Sequence, residues 1–177
     1  MPLRLDLSPL LEYPEAWRRQ GKGLLFSSEV LWWHAQHSTP EALAMPAASL
    51  LGGYALEHLL KGLRVKQLRA AGESILVKGR LRRELTRHDL ITLAEAAGVP
   101  LARHERFLLE RLTVTITWGG RYIAPKDVGE TDSPTMSSTD QEAIRRFAAK
   151  LEDMLEGKEP VDYDKLLNAT DRPPHDH

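Results

Sequence analysis

The chain contains no cysteine among its 177 residues, which excludes disulfide bonds, thiolate nucleophiles and cysteine-ligated zinc or iron–sulfur centres. No apolar run approaches the roughly 20 residues that a membrane-spanning helix needs, and the N-terminal segment lacks the apolar core of a signal peptide. We therefore expect a soluble, cytoplasmic protein. The formal net charge of −1 gives the chain as a whole no electrostatic preference for a charged partner.

Motifs for metal or cofactor chemistry are also missing. Gly119-Gly120 has neither the spacing nor the following lysine of a phosphate-binding loop, and no serine sits in a nucleophile-elbow pattern. No pair of histidines combines with a carboxylate in the pattern of zinc proteases; the histidines include His34, His37, His58, His175 and His177. We expect neither a bound metal nor a cofactor.

Charge is unevenly distributed along the chain. Residues 61–88 hold nine Lys or Arg and two Glu, a net charge of +7, whereas residues 137–177 carry a net charge of −4. A local basic stretch of this kind is suited to contact phosphates, or it is simply a solvated loop between two helix ends. Because no Phe, Tyr or Trp lies between residues 55 and 106, the stretch is not a base-stacking platform.

Apolar residues recur at helical spacing through most of the chain, and strand signals are scarce. The predicted fold is therefore all-α, a four- to five-helix bundle with an up-and-down antiparallel core, in one domain over residues 1–156. Residues 157–177 are predicted to form an extended C-terminal tail. The predicted helices run from Pro14 to about His37, from about Ala47 to Ala70, briefly after Asp89, from near Leu101 to about Trp118, and from 139 to 156.

Some local patterns within these segments carry their own predictions. Gly52-Gly53, inside the second helix, lacks side chains and allows another helix to approach closely. Thr86 followed by Asp89 resembles a capping box. Residues 113–118 alternate like a strand, but without a convincing partner strand they are predicted to end a helix; residues 75–77 are too short to predict as a strand.

Glu57 and Lys61 are four residues apart and share one helix face, with Glu on the favoured N-terminal side. Such a pair is an exposed ion pair or part of a buried polar cluster. A buried glutamate needs a partner, and His88 and Arg121 are the candidates. The four tryptophans are expected in the core and at interfaces; they are Trp17, Trp32, Trp33 and Trp118.

His88 is the best single candidate for acid–base chemistry, since imidazole changes charge near neutral pH. Arg83 precedes it by five positions. Metal-free RNA cleavage needs a group that moves a proton and cations that hold the phosphate, so Arg83 and His88 are the candidate catalytic residues. The alternative is that His88 and Asp89 cap the third helix and fix it to the second.

Three segments together resemble the HEPN superfamily over residues 14–156. They are Ala-Leu-Glu-x-x-x-Lys (55–61), His-Asp-Leu-x-x-Leu (88–93), and Arg121-Tyr122 followed by Pro125. The resemblance implies a bundle of four or five helices that forms a homodimer. It also implies a ligand site at Glu57, Lys61, Asp89, Arg121 and Tyr122.

The HEPN superfamily contains both ribonucleases and non-catalytic members. Many ribonuclease members carry an Arg-x4–6-His motif with a polar residue such as Asn, Asp or His after the Arg, and here that residue is Glu84. The resemblance therefore favours a non-catalytic module that binds a nucleotide, RNA or a partner protein, with a metal-independent endoribonuclease as the alternative. The implied setting is a toxin–antitoxin or defence module with a nucleotidyltransferase-like or antitoxin partner.

Overall fold

The computed structural model describes residues 11–37, 44–119 and 137–158. These residues form a bundle of α-helices with one small β-hairpin, so the all-α prediction is confirmed. The helices are α1 (Pro14–His37), α2 (Ala44–Ala70), α3 (Leu90–Ala96), α4 (Arg103–Val114) and α5 (Ser138–Glu156). α2 begins three residues before the predicted Ala47, because Pro46 falls in its first turn, where a missing N–H loses no hydrogen bond. Among the helices described, none has the length and apolarity to cross a bilayer.

The four long helices alternate in direction around a common core. Contacts between α1 and α2 run in opposite order along the two helices, as do those between α4 and α5, whereas α2 and α5 run parallel. The up-and-down arrangement follows for α1, α2, α4 and α5. The pairs that fix these directions are Gly21–Leu59 and Ser28–Ala48 for α1 and α2, Gly52–Ile144 and Gly62–Leu155 for α2 and α5, and Arg111–Asp140 and Lys150–Glu105 for α4 and α5.

Apolar side chains from all five helices meet in one core. Each helix contributes at least one side chain that is almost fully buried, and α2 contributes most because it lies at the centre of the bundle. Representative members, in chain order, are Trp32, Leu56, Leu93, Leu109 and Phe147.

Glycines permit the closest helix contacts with α2. A Cβ at Gly21 of α1 would lie 2.9 Å from Cγ of Leu59, and a Cβ at Gly53 would overlap Cγ2 of Ile116. Since real Cβ atoms do not approach so closely, these positions require glycine for packing. The predicted close approach at Gly52-Gly53 is confirmed.

A tight β-hairpin follows α2, where no strand was predicted. β1 (Leu76–Val77) pairs antiparallel with β2 (Arg80–Leu81) around Lys78 and Gly79, whose φ angles are 52° and 72°. Two consecutive positive φ angles are typical of the type I′ turn that matches strand twist. Ile75, before β1, is buried in a small second core that anchors the hairpin; its buried members are Val65, Leu68, Ile75 and Leu85.

The entry into α3 differs from the predicted capping box. Asp89 is the N-cap itself, and its carboxylate accepts a hydrogen bond of 2.8 Å from the backbone N–H of Thr92. Thr86 instead closes a 3₁₀ turn, Arg83–Thr86, by donating to the carbonyl oxygen of Arg83. The prediction was wrong because the 3₁₀ turn places Thr86 one turn too early to reach α3.

The strand-like stretch 113–118 is helical, as predicted. α4 passes into a π-helical turn, Thr115–Gly119. Leu112 and Ile116 are 0% and 3% exposed and pack against Gly53 of α2. This burial outweighs the β-branched preference of the surrounding threonines and valine, because β propensity is weak where packing decides.

Candidate functional site

The predicted Glu57–Lys61 pair is buried between α2 and the segment that leads into α3. The side chains of Glu57 and Lys61 are only 5% and 7% exposed, and Lys61 Nζ donates to Glu57 Oε1 at 2.6 Å. Of the two alternatives that the sequence left open, the buried polar cluster is therefore the one that forms. Two opposite charges at this depth stabilise one another, and removing either would leave the other without compensation.

His88 completes this cluster from 31 positions away in the sequence. Its Nδ1 lies 3.0 Å from Oε2 and 3.2 Å from Oε1 of Glu57. Because a carboxylate accepts hydrogen bonds, the tautomer that fits this contact carries hydrogen on Nδ1 and donates a hydrogen bond to Glu57. In the neutral ring Nε2 is then the basic nitrogen.

The imidazole of His88 lies at the edge of the cluster. Its side chain is 51% exposed, and within residues 11–37, 44–119 and 137–158 no group hydrogen-bonds to Nε2. A histidine held at one nitrogen by a buried carboxylate and open at the other can accept a proton or donate a hydrogen bond to an anion. The cluster thus combines a buried ionic anchor with one accessible titratable nitrogen.

Trp17, from the first turn of α1, shields the cluster on its other side. Lys61 Nζ lies 6.0 Å from the centroid of the Trp17 ring, and the His58 ring lies 5.7 Å from it. The indole N–H donates to the carbonyl oxygen of Leu11 at 2.8 Å, which fixes the ring. Lys61 is thereby held between a carboxylate and an aromatic face, and little of the ion pair is exposed to solvent.

The segment between the hairpin and α3 runs along α2 in the opposite direction to it. Glu84 pairs with Arg64 at 2.9 Å, and Leu85 is buried. His88 then contacts Glu57, which lies seven residues before Arg64 in α2. These alternate inward contacts leave Arg83 and Arg87 exposed. The residues of the segment that have a polar partner on α2, Glu84 and His88, therefore lie against that helix, and Arg83 and Arg87 face solvent.

Four exposed cations lie on the hairpin and this segment, and we call them the basic surface: Lys78, Arg80, Arg83 and Arg87. No ion pair or hydrogen bond involves any of these side chains in the part of the chain that the structure describes. Arg82, by contrast, pairs with Glu73 at 2.6 Å. Arg87 directly precedes His88 in the sequence, so the segment that carries these exposed cations ends at the exposed imidazole.

The structure brings together some of the predicted site residues and leaves others apart. Glu57, Lys61 and His88 meet in one cluster, whereas Arg83 is exposed and forms no hydrogen bond with His88. Asp89 caps α3. Arg121 and Tyr122 lie outside the described residues.

Sequence reasoning missed Trp17 and Glu84 as members of this region. Trp17 lies on a different helix, and Glu84 meets Arg64 across 20 positions, so no local spacing indicates either contact. Among the described residues no group of three His, Asp or Glu side chains is arranged to hold a metal ion. What the arrangement offers chemically is anion binding by the basic surface and proton transfer at Nε2 of His88.

The chain matches no protein-family model, and no curated protein or solved structure shows significant similarity to it.

Proposed function

We propose that this chain is a HEPN-like helical module that binds the phosphate backbone of RNA without cleaving it. The observation that carries the proposal is the basic surface, whose four exposed cations have no intramolecular anionic partner in the described ranges. Nearby cations that are already neutralised, Arg64 and Arg82, show that the chain pairs some charges here and leaves others open.

Backbone recognition, rather than base recognition, fits the composition of this surface. Guanidinium groups bind phosphate through paired N–H donors, and three of the four cations are arginines. No Phe, Tyr or Trp lies near them in the sequence to stack on bases. Binding should therefore depend strongly on salt and weakly on RNA sequence.

The resemblance to HEPN domains supplies the proposed setting. That setting is a toxin–antitoxin or defence module in which the chain acts as a homodimer beside a nucleotidyltransferase-like or antitoxin partner. A nucleotide is the smallest ligand with the same phosphate chemistry, and the basic surface would bind it more weakly because fewer charges are met.

The test is fluorescence anisotropy with a labelled single-stranded RNA over a range of salt concentrations. Four phosphate contacts predict that log K falls with log salt at a slope of about −3. The variant Arg83→Ala/Arg87→Ala should bind more weakly and reduce the magnitude of the slope by about 1.5.

A matched control carries the same change in net charge elsewhere. Arg19 and Arg103 are exposed arginines on α1 and α4, and Arg19→Ala/Arg103→Ala should bind RNA like the wild type. Equal losses in the two double variants would show that net charge alone matters and would overturn the proposal.

The alternative function is a metal-independent endoribonuclease, and one observation favours it. Glu57 orients the imidazole of His88 through Nδ1 and leaves Nε2 accessible as a base for a ribose 2′-hydroxyl. The lack of a hydrogen bond between Arg83 and His88 weighs against it, because within one chain nothing then holds these two side chains together at one phosphate.

RNA cleavage in EDTA by the wild type and by His88→Ala separates the two functions. The binding module predicts no cleavage by either protein. Cleavage that disappears in the variant, with its helical circular dichroism unchanged, would make the chain a ribonuclease with His88 at its centre.

A further inference from the structure

An apolar stripe of α1 faces solvent rather than the core. Phe26, Val30 and Trp33 are 67%, 41% and 57% exposed. They lie on one face together with Gly23 and His37, and we call these five residues the α1 seam. Their spacing is 3, 4, 3 and 4 residues, which is the a/d repeat of two helices packed side by side. The seam contains no Asp, Glu, Lys or Arg.

Gly23 adds a second observation. A Cβ built there meets nothing within 4 Å, so no contact with the described residues requires glycine, unlike at Gly21 and Gly53. Glycine inside a helix costs about 1 kcal/mol relative to alanine. Gly23 therefore lowers the helix stability without any packing gain among the described residues. Because it lies beside open space on an apolar stripe, it leaves room for a large side chain of another molecule.

We propose that two copies of this chain associate through the α1 seam, with the two α1 helices antiparallel about a two-fold axis. In antiparallel seams the a positions of one helix lie opposite the d positions of the other. Trp33 of the partner subunit then covers Gly23, and Val30 of the partner subunit lies opposite Phe26. A parallel pairing would instead stack Trp33 on Trp33 and leave a gap between the two glycines.

The exposed area suits the apolar centre of an interface with a second copy. Two aromatic side chains, each with about 150–250 Å² of surface, and Val30 together expose about 350 Å² of apolar area. A standard interface buries about 800 Å² per partner, so these three side chains supply less than half of that area and the residues around them supply the rest. The exposed polar residues beside the seam, Ser27, His34 and Gln36, supply a polar rim of the kind that surrounds such apolar centres.

This interface lies away from the basic surface. Ala55 and Leu59 of α2 face α1, at Gly21, whereas Glu57, two residues from Ala55, lies about 200° further round the helix and faces His88. The dimer therefore carries two separate basic surfaces, one on each outer side. It does not bring two copies of His88 into one groove.

The absence of cysteine makes the arrangement testable with single-cysteine variants and a short bis-maleimide. With the axis level with residue 28, the two copies of residue 27 are offset by about 3 Å along the helices, and the two copies of residue 36 by about 24 Å. Ser27→Cys should therefore crosslink to a dimer and Gln36→Cys should not. Crosslinking of both would indicate a parallel pair and overturn the arrangement.

Sedimentation velocity of the full chain tests the seam itself. The wild type should sediment as a dimer at tens of micromolar, and Trp33→Glu should shift it to a monomer with an unchanged helical spectrum. Phe107→Glu is the matched control, because Phe107 is a 59% exposed aromatic residue on α4, and this variant should stay dimeric. A monomeric wild type, or a Trp33→Glu variant that stays dimeric, would overturn the proposal.

Discussion

The Glu57 carboxylate accepts hydrogen bonds from Lys61 on its own helix and from His88, 31 residues away. The contact with His88 joins the segment before α3 to the centre of the bundle. Glu57 is buried and His88 is half exposed, so their hydrogen bond connects the buried ion pair to an exposed side chain. The position of the exposed imidazole therefore depends on the same carboxylate that neutralises Lys61.

Replacing Glu57 should destabilise the fold strongly. Glu57→Gln leaves the Lys61 ammonium buried without a counterion, which costs about 3–5 kcal/mol in comparable buried pairs. Urea unfolding at pH 7 measures the loss. Glu73→Gln removes one partner of the more exposed pair with Arg82 and should cost at most about 1 kcal/mol. Equal free energies of unfolding for the two variants would show that the buried pair contributes no more to stability than the exposed pair.

His88→Ala should be milder than Glu57→Gln. The variant removes one charge-assisted hydrogen bond, worth about 1.5–3 kcal/mol, but the carboxylate keeps its bond to Lys61. Unfolding free energy and RNA affinity are measured on the same preparation. We expect the stability to fall by about half as much as in Glu57→Gln. A loss as large as in Glu57→Gln would make His88 an essential structural clamp.

Two glycine substitutions should have opposite signs. Gly53→Ala forces a Cβ into Cγ2 of Ile116 and should destabilise by about 1–3 kcal/mol through overpacking. Gly23→Ala has open space around it and should stabilise by up to about 1 kcal/mol through helix propensity. Both are measured by urea unfolding in a Trp33→Glu background, where association through the α1 seam does not contribute. Equal effects at the two positions would contradict the packing role of Gly53.

Asp140 should make stability depend on acidic pH. Burial raises the pKa of its carboxyl, but hydrogen bonds from the backbone N–H of Ser137, from the Arg111 guanidinium and from the Ser137 hydroxyl outweigh it, so the pKa is lowered below its ordinary value of 3.8. The two oxygens accept from Arg111 at 2.8 and 3.0 Å. A carboxyl with a lowered folded pKa stabilises fully above its unfolded pKa, and this contribution is lost as the pH falls through the folded value.

Asp140→Asn tests this dependence. The variant should be less stable than the wild type at pH 7 by about 2 kcal/mol, and the difference should shrink as the pH falls below 3.8. Urea unfolding at pH 7 and pH 3 measures both values. A difference that stays constant over this range would show that the ionised carboxylate is not what stabilises the start of α5.

The helices were predictable because their signals are local. Pro14 and the 3.6-residue apolar spacing can be recognised within a few residues of sequence. The helices α1 and α5 agree closely with the predicted ranges, Pro14 to about His37 and 139 to 156. Pairing across the fold was less predictable. His88 was named as a partner for Glu57, but neither the burial of the pair nor the separation of Arg83 from His88 follows from spacing.

The sequence by itself determined that this protein is an all-α bundle and which residues carry titratable or cationic groups. Periodicity and capping depend on neighbours along the chain, so they can be read without knowing the fold. Only the tertiary structure decided which face of each helix is buried. It buried Glu57 and Lys61, left Trp33 and Phe26 exposed, and left the cations of the basic surface without a partner among the described residues. Burial depends on which helices pack together across long stretches of chain.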